Sequence, residues 1–524
     1  MKKHAAFMLG LLVVVSLSLT PSFAQTAPFD SKDFREFVNR EMKFWKVPGA
    51  AILVIQDGKI VFSEGFGYKD LEKGVPVTPK TLFGIGSCSK AFTALSIGML
   101  VDEKKIDFDK PVREYYPAFK LYDSYATEHV TVRDVLSHRT GIPRYDFAID
   151  PKDCSREKAV IKLKYLKPNT GIRERFQYNN FHYAVAGAIV DKVSGQPWEN
   201  FVSKRIFKPL GMNSSNLTPE DSKKSSDFAL PYKIDLEALK RFPENRSEVY
   251  RSPLKELPFE NIGVYGPAGS INSNLEDMAK WVMLHLNGGK SGEEQLVSSS
   301  VLLQLCSPQM LTGSPMIFEE ILPGSYGLAW MITPYRGHYL VSHEGMIEGF
   351  TAHVGFLPKK KAGLVILTNR SNNFEFTATV SFKAYDRLLG LQEIPWSQRL
   401  SDKIPKELEA LKEKMAAEER NRKIDTKPSH AYSDFTGRYE HPAFGMAKIE
   451  IEDKGLKFSL RDIEEATCLL KHYQYDTFKM DCQGTIGGLN LKVTFLMDEN
   501  GDIDRLSIPL EAAAEEIAFR KILK

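Results

Sequence analysis

The chain has 524 residues, 43% hydrophobic and 11% aromatic, with 70 basic and 67 acidic side chains and a net charge of +3. That length exceeds one folding unit at ~150 residues each, and the near balance of charge gives no electrostatic reason for nucleic acid or an anionic membrane as a partner. Five scattered cysteines (Cys88, Cys154, Cys306, Cys468 and Cys482) exclude a disulfide-built scaffold and leave a Cys468–Cys482 pairing open; no Cys/His cluster has zinc spacing, so neither metal nor cofactor is indicated.

At the N-terminus Lys2 and Lys3 precede an apolar run from about Ala5 to Leu19, then Pro21 and Ser22-Phe23-Ala24. A positive end, a short apolar stretch and a small-residue exit describe a secretory signal, cut after Ala24. The run is shorter than the ~20 residues of a membrane span. No cysteine stands at the exit to carry a lipid, and no later stretch is apolar enough to cross a bilayer. The expected mature protein is soluble, and periplasmic or secreted.

Lys32 to Trp45 has helical periodicity. Ala50–Ile55 and Lys59–Phe66 are apolar, β-rich runs joined through Asp57-Gly58, a hairpin signature. Thr81 to Leu95 then starts in a strand or loop and runs into an amphipathic helix. Ser87 and Lys90, three apart, share a face of its first turn. A lysine partly desolvated there can lose its proton near neutrality and accept that of the serine. The N–H groups of the helix start sit where an oxyanion can be held. The same spacing recurs at Ser155…Lys158 and Ser252…Lys255, but Ser155 reads as the N-cap of a helix over Arg156–Leu166, and Ser252 precedes a proline in a loop.

From about Phe92 to Leu286 the pattern is mostly helical. This stretch holds the one Tyr-x-Asn of the chain, Phe176-Gln-Tyr178-Asn179-Asn180-Phe181, ahead of a helical run Tyr183–Val193. A tyrosine beside a cationic lysine can have its phenolate stabilised and serve as base or relay, and Asn180 can donate its amide to a substrate carbonyl. Standing alone, the pair would read as a buried tyrosine and a loop-capping asparagine. Strand pattern returns at Gly327–Thr333, His338–Ser342, Thr351–Phe356 and Gly363–Thr368, and a helical segment follows from Phe374 to Leu391. In Val341-Ser-His343-Glu344-Gly345-Met346 the glycine admits close approach to the backbone, the Met346 N–H can complete an oxyanion hole, and His343 can touch substrate or assist proton transfer. His353-Val-Gly355 repeats the pattern one strand later. Strands at both ends with helices between predict an α+β domain over 28–395: one antiparallel sheet assembled from both ends, flanked by helices, with a helical insert.

Residues 396–430 carry a thin stripe of Leu408, Leu411 and Met415 within a dense run of Lys, Glu and Arg, the pattern of a solvated linker helix. Residues 431–524 read as a small, mostly β domain with turns at Asp453-Lys454-Gly455 and Asn500-Gly501. Asp498, Asn500 and Asp502 lack the downstream Glu and flanking helices of a calcium loop, so a hairpin turn is the better reading. Gly289-Lys290-Ser291 ends like a phosphate loop, but Leu284 stands where the first glycine belongs. No Gly-x-Ser-x-Gly elbow occurs.

Taken in order, Ser87-x-x-Lys90, Tyr178-x-Asn180 and His343-x-Gly345 resemble the serine β-lactamase and penicillin-binding-protein superfamily, in its class C-like branch with family VIII carboxylesterases, D-aminopeptidases and DD-peptidases. The resemblance spans roughly Phe29 to Leu391 and extends to Leu136-Ser-His138-Arg-Thr-Gly141-Ile-Pro143, Pro209-Leu-Gly-Met212, Gly266-Pro-Ala-Gly269…Asp277…Trp281 and Tyr326-Gly-Leu-Ala-Trp330. The C-terminal region, from Phe435-Thr-Gly-Arg-Tyr439 through Tyr475-Asp-Thr-Phe478, resembles the small β-rich accessory domain that often follows such hydrolases.

The resemblance implies an acyl-enzyme mechanism: Ser87 attacks a carbonyl, Lys90 and Tyr178 take its proton, the Ser87 and Met346 N–H groups hold the oxyanion, and water releases the acyl group. True β-lactamases and DD-peptidases usually have Lys-Thr/Ser-Gly where this chain has His343-Glu344-Gly345, and that lysine helps bind the substrate carboxylate. Esterase, amidase or D-amino-acid peptidase activity on a small acyl or peptide substrate therefore stands ahead of β-lactam turnover. The rival from another class is a catalytically silent sensor of peptidoglycan fragments or β-lactams, against which the intact Ser87, Lys90 and Tyr178 speak.

Overall fold

Gly49–Gln56 (β1) is an unbroken run of eight buried residues because both faces of this strand are covered. Alternation sends Ala50, Ile52 and Val54 into one apolar cluster and Ala51, Leu53 and Ile55 into another. The computed structural model describes residues 29–149, 154–236, 246–316, 318–452, 455–461, 467–482 and 491–522; the secretory signal read in residues 1–24 lies outside them. Asp57 and Gly58, both at positive φ (51° and 72°), turn β1 into Lys59–Asp70 (β2), the two-residue geometry that matches strand twist. Far along the chain come His338–Ile347 (β3), Phe350–Leu357 (β4) and Ala362–Thr368 (β5). β5 pairs antiparallel with β1, Ala50 opposite Thr368, so the two ends of the domain meet at the centre of one sheet.

That sheet has nine strands, ordered Met310–Leu311, Ser325–Tyr326, Met331–Tyr335, β3, β4, β5, β1, β2 and Val75–Pro76, all paired antiparallel. Ser31–Phe44 (α1) and Phe374–Leu389, at opposite ends of the domain, share the cluster on one face through Phe34, Val38, Phe376 and Val380. On the other face lies Ser89–Asp102 (α2), of which all but the last two residues are buried, so the expected amphipathic stripe gives way to a helix enclosed on every side. Asn180–Ser194 (α3) and Leu275–Leu286 pack in the same cluster. Among the described residues between β2 and the later strands, helices are joined by short ladders such as Tyr232–Ile234 with Leu254–Glu256 and Phe83–Gly84 with Asn272–Ser273.

Asp134 ties this insert together. It closes a capping box with Thr131 and, fully buried, binds Arg139 at 2.6 Å and Arg173 at 2.7 Å. Burial pushes its carboxyl up, but hydrogen bonds from Arg173 and the Thr131 N–H, with the Arg139 charge, outweigh that and hold it below the ordinary value.

After the sheet domain, Trp396–Ser401 still packs against it: Trp396 is buried beside Phe318 and Phe382, and its indole donates to Asp386 at 2.8 Å. The charged exposed helix is Ile404–Arg420, with no buried residue. Beyond it, eight strands from Gly437–His441 to Ile517–Ile522 close into a barrel, Arg438 pairing with Ile522. Its interior is filled by Phe435, Tyr439, Phe458, Phe478, Phe495 and Phe519. Cys468 and Cys482, directly opposite on neighbouring strands, are disulfide-bonded. The Asp498 carboxylate accepts from the Asn500 and Asp502 N–H groups, making the hairpin turn expected there.

Asp134→Ala should lower stability by about 3–5 kcal/mol at neutral pH, because two arginines lose a buried partner. A carboxylate held below its ordinary pKa of 3.8 contributes fully above that value and loses the contribution as pH falls through the depressed one. Urea midpoints of wild type and variant should therefore converge in acid; an equal gap at pH 7 and pH 2 would refute the assignment.

Candidate active site

Ser87 sits in a tight turn, Gly86–Cys88, that feeds directly into α2. Gly86 has φ +51°, and a methyl there would lie 2.5 Å from the Met346 nitrogen; one on Gly345 would lie 1.9 Å from the Ile85 carbonyl oxygen. Only two bare backbones can approach so closely. The end of β3 is thereby laid along the serine turn, with the Met346 N–H beside it and the Met346 side chain outward and exposed. Ser87 itself is half-buried.

One turn on, Lys90 is wholly buried. Its Nζ lies 3.0 Å from Ser87 Oγ, 2.9 Å from Asn180 Oδ1 and 2.9 Å from the Ala268 carbonyl oxygen. No carboxylate among the described residues touches it. Burial, reinforced by the nearby Arg144 charge, holds the amine well below the usual lysine range. Two of the three partners are carbonyl oxygens that only accept. A neutral amine satisfies both with its two hydrogens and turns its lone pair to the Ser87 hydroxyl, the arrangement of a base ready to take that proton.

α3 delivers the second motif. Asn179 caps it, its Oδ1 accepting from the Phe181 N–H at 2.7 Å while its amide donates to the Pro143 carbonyl at 2.6 Å. Asn180 accepts from Lys90 and donates to Asp146 Oδ1 at 3.1 Å, so one amide hydrogen is engaged and one remains for a substrate carbonyl. The Lys90 nitrogen stands 4.8 Å from the Tyr178 ring centre, and the phenol is near enough to Ser87 to feel it. The sequence allows a phenolate stabilised beside a cationic lysine, serving as general base or as proton relay. Burial raises the phenol well above its ordinary value, and the opposing pull of Ser87 and Arg144 is smaller, so Tyr178 is a protonated phenol at neutral pH, suited to relay rather than to standing as an anion.

His343 is buried on the face of β3 toward this site. Its Nδ1 meets the Glu344 carbonyl oxygen at 2.5 Å and must donate there, so Nε2 accepts from the Tyr326 hydroxyl at 3.0 Å. Burial above all lowers it to about 3. With both nitrogens engaged, the ring is held in position by the Tyr326 hydroxyl and the Glu344 carbonyl. The competing His353 points to the opposite face, where its two nitrogens meet Glu344 Oε1 (2.5 Å) and the Tyr385 hydroxyl (2.6 Å); period-two alternation puts it out of reach of Ser87.

Five groups at the site carried no role in the sequence reading. The Ala268 carbonyl and Tyr326 lie within motifs noticed only as family resemblances. His138, at φ +58°, is another: its Nδ1 accepts from the Asn179 N–H at 3.2 Å and lies 3.3 Å from His182 Nδ1, and its ring packs 4.5 Å from that of Tyr178. The Leu136–Pro143 turn is therefore the seat of Tyr178-x-Asn180. Arg144, which is exposed, and Asp146 form an ion pair above Tyr178, the guanidinium carbon 5.6 Å from its ring centre. No local pattern marked them.

Residues 34–383 match a family model described as Beta-lactamase, and residues 421–521 one described as a domain of unknown function, DUF3471. The chain belongs to the Beta-lactamase family. Among curated proteins, the Unguisins hydrolase ungD' of Aspergillus campestris (strain IBT 28561) is 29% identical over 468 residues, 84% of this chain and 82% of that protein. Protein flp of Staphylococcus aureus (strain NCTC 8325 / PS 47) is 24% identical over 64% of this chain and 62% of its own. The fold is shared with the octameric penicillin-binding protein homologue from Pyrococcus abyssi (TM-score 0.59, 24% identity, 94% of this chain and 100% of that one) and with a penicillin binding protein from Bacillus halodurans (TM-score 0.53, 23% identity, 66% and 98%).

Gly345→Ala should push β3 off the serine turn. We expect kcat to fall by about 100-fold or more, with far-UV circular dichroism retained. An unchanged kcat in a folded variant would remove the Gly345–Met346 edge from the site.

Proposed function

We propose that this member of the Beta-lactamase family is an exported serine hydrolase that cleaves ester or amide bonds of small acyl or D-amino-acid substrates through an acyl-enzyme on Ser87. The observation that carries the reading is the Lys90 amine, wholly buried, unpaired by any carboxylate among the described residues and 3.0 Å from Ser87 Oγ.

Ser87 Oγ attacks the substrate carbonyl as its proton passes to the neutral Lys90 amine. Charge gathers on the carbonyl oxygen, where the Ser87 and Met346 N–H groups receive it. Tyr178, beside Ser87 and Lys90, relays the proton to the leaving group, which departs and leaves the acyl chain on Ser87. Water then attacks the ester, its proton returning along the same path, and the acid is released. Asn180 orients Lys90 and offers its remaining N–H to the substrate.

Esters and amides stand ahead of β-lactams and D-Ala-D-Ala termini because His343, neutral and with both nitrogens engaged, supplies no cation for a substrate carboxylate. The relative named as an unguisins hydrolase also favours hydrolysis over silent binding. Export rests on the leader-like residues 1–24.

The test is a panel of short p-nitrophenyl esters, D-aminoacyl p-nitroanilides and nitrocefin. Turnover of the first or second class should exceed nitrocefin, and Ser87→Ala should lose at least about 10³-fold in kcat. A fluorophosphonate should add once, on Ser87, by mass spectrometry; no adduct together with no turnover would overturn the reading in favour of a silent binder. Protonating Lys90 removes the base, so kcat/KM should fall as pH drops through the lowered lysine value, with no limb near 6.5 from His343. Lys90→Arg, permanently charged, should lose about 10³-fold at every pH.

A further inference from the structure

Tyr145 lies between the two members of the ion pair at the site, Arg144 and Asp146, and it is an aromatic residue in the left-handed region, φ +46°. A bulky side chain holds that conformation only where its surroundings impose it. Three contacts do so. The Tyr145 hydroxyl donates to the Lys167 carbonyl at 2.9 Å, within the same domain. The other two come from the C-terminal barrel: the Tyr145 N–H donates to Glu511 Oε2 at 2.9 Å, and the ring packs edge-on against Phe444, centres 6.1 Å apart.

The barrel side is built for this contact. The His441 Nδ1 accepts from the Ala443 and Phe444 N–H groups, shaping the turn that presents the Phe444 ring. Glu511 Oε1 accepts from the Ala513 N–H, which aims Oε2 at Tyr145. The Asn169 amide donates to the Ala513 carbonyl at 2.5 Å, and Lys167 meets Glu515 at 3.4 Å. Apolar packing is continuous from the barrel interior into the core around α2. From Glu511 a chain of direct contacts runs through Tyr145 to Asp146, from Asp146 to Asn180, and from Asn180 to Lys90.

Resting on the proposed function, we infer that the C-terminal barrel completes the active site: Glu511 is a positioning residue that clamps the Arg144–Asp146 loop and, through Asp146 and Asn180, holds the Lys90 amine against Ser87. Without the clamp Tyr145 relaxes out of the left-handed region and carries Arg144 and Asp146 with it. Asn180 then loses its anchor, Lys90 loses a fixed acceptor, and water gains the amine.

The experiment uses the full chain with a short p-nitrophenyl ester and a fluorophosphonate. Glu511→Ala should lower kcat/KM and the rate of adduct formation by about ten- to a hundredfold, while the final adduct stays at one per chain. The acid limb of kcat/KM should move upward by about half a unit or more, since water relieves the burial of Lys90 and the Arg144 charge recedes. That limb reports Lys90 in the field of Arg144, Asp146, Cys88, Tyr178, Tyr183, His138 and His343, of which only the first two sit on the clamped loop. Glu511→Gln, still an acceptor for Tyr145, should recover to within about threefold of wild type. Glu515→Ala, at the same interface but far out in solvent, should behave as wild type. If Glu511→Ala does not fold, Glu511→Asp, which withdraws the carboxylate by one methylene, should show the same changes at smaller amplitude. A folded Glu511→Ala (or, in its place, Glu511→Asp) with wild-type rate and limb overturns the proposal. So does a rate loss matched by lost adduct at an unmoved limb, which would make the barrel a stabiliser only. A wild type that takes no adduct on Ser87 overturns the hydrolase reading, and this inference with it.

Discussion

A buried amine with no counter-ion among the described residues is the constraint around which the sheet domain is arranged. Burial costs a charged Lys90 several kcal/mol of hydration and pushes its amine well below the usual lysine range, and each of its hydrogen-bonding directions has a use. That shift favours the neutral amine, the form the proposed mechanism uses as a base. It also explains why α2 is enclosed on every side: an amphipathic helix with a wet face could not withhold water from a residue on its first turn.

The partners of Lys90 come from widely separated places, and each has its own support. Asn180 is set by the cap of α3 and by the Leu136–Pro143 turn, which the buried Asp134 locks through Arg139 and Arg173. The Ala268 carbonyl comes from the Gly266–Gly269 turn packed against α2. The Met346 N–H arrives because Gly86 and Gly345 let two backbones meet. His343 and Tyr326 brace that strand from the site face, while Glu344, His353 and Tyr385 brace it from behind. A flexible edge could not hold an N–H in place for a charge that exists only in the transition state.

The barrel belongs to the same logic. Its interior is packed with aromatic rings rather than hollowed for a ligand, so its chemistry lies at its surface, where Glu511 and Phe444 meet Tyr145. Tyr145, at φ +46°, is held from both sides, by the Lys167 carbonyl of its own domain and by Glu511 and Phe444 of the barrel.

Much of this was legible in the chain itself. The three-residue spacing of Ser87 and Lys90, the alternation in Ala50–Ile55, the Asp57-Gly58 turn and the ordered motifs specified the α+β class, the sheet built from both ends and the residues that meet at the site, because helical and strand periods are local and a spacing of three or two is written in consecutive letters. The tertiary structure alone decided what those residues can do. That Tyr178 is a phenol and not a phenolate, that His343 is spent on Tyr326 and a carbonyl, that Trp396 belongs to the sheet domain, and that Arg144, Asp146 and Glu511 stand near Ser87 all depend on burial and on contacts between segments up to 366 residues apart. Protonation and hydrogen-bond partnership are set by everything that surrounds an atom in space, and the order of residues along the chain does not contain that sum.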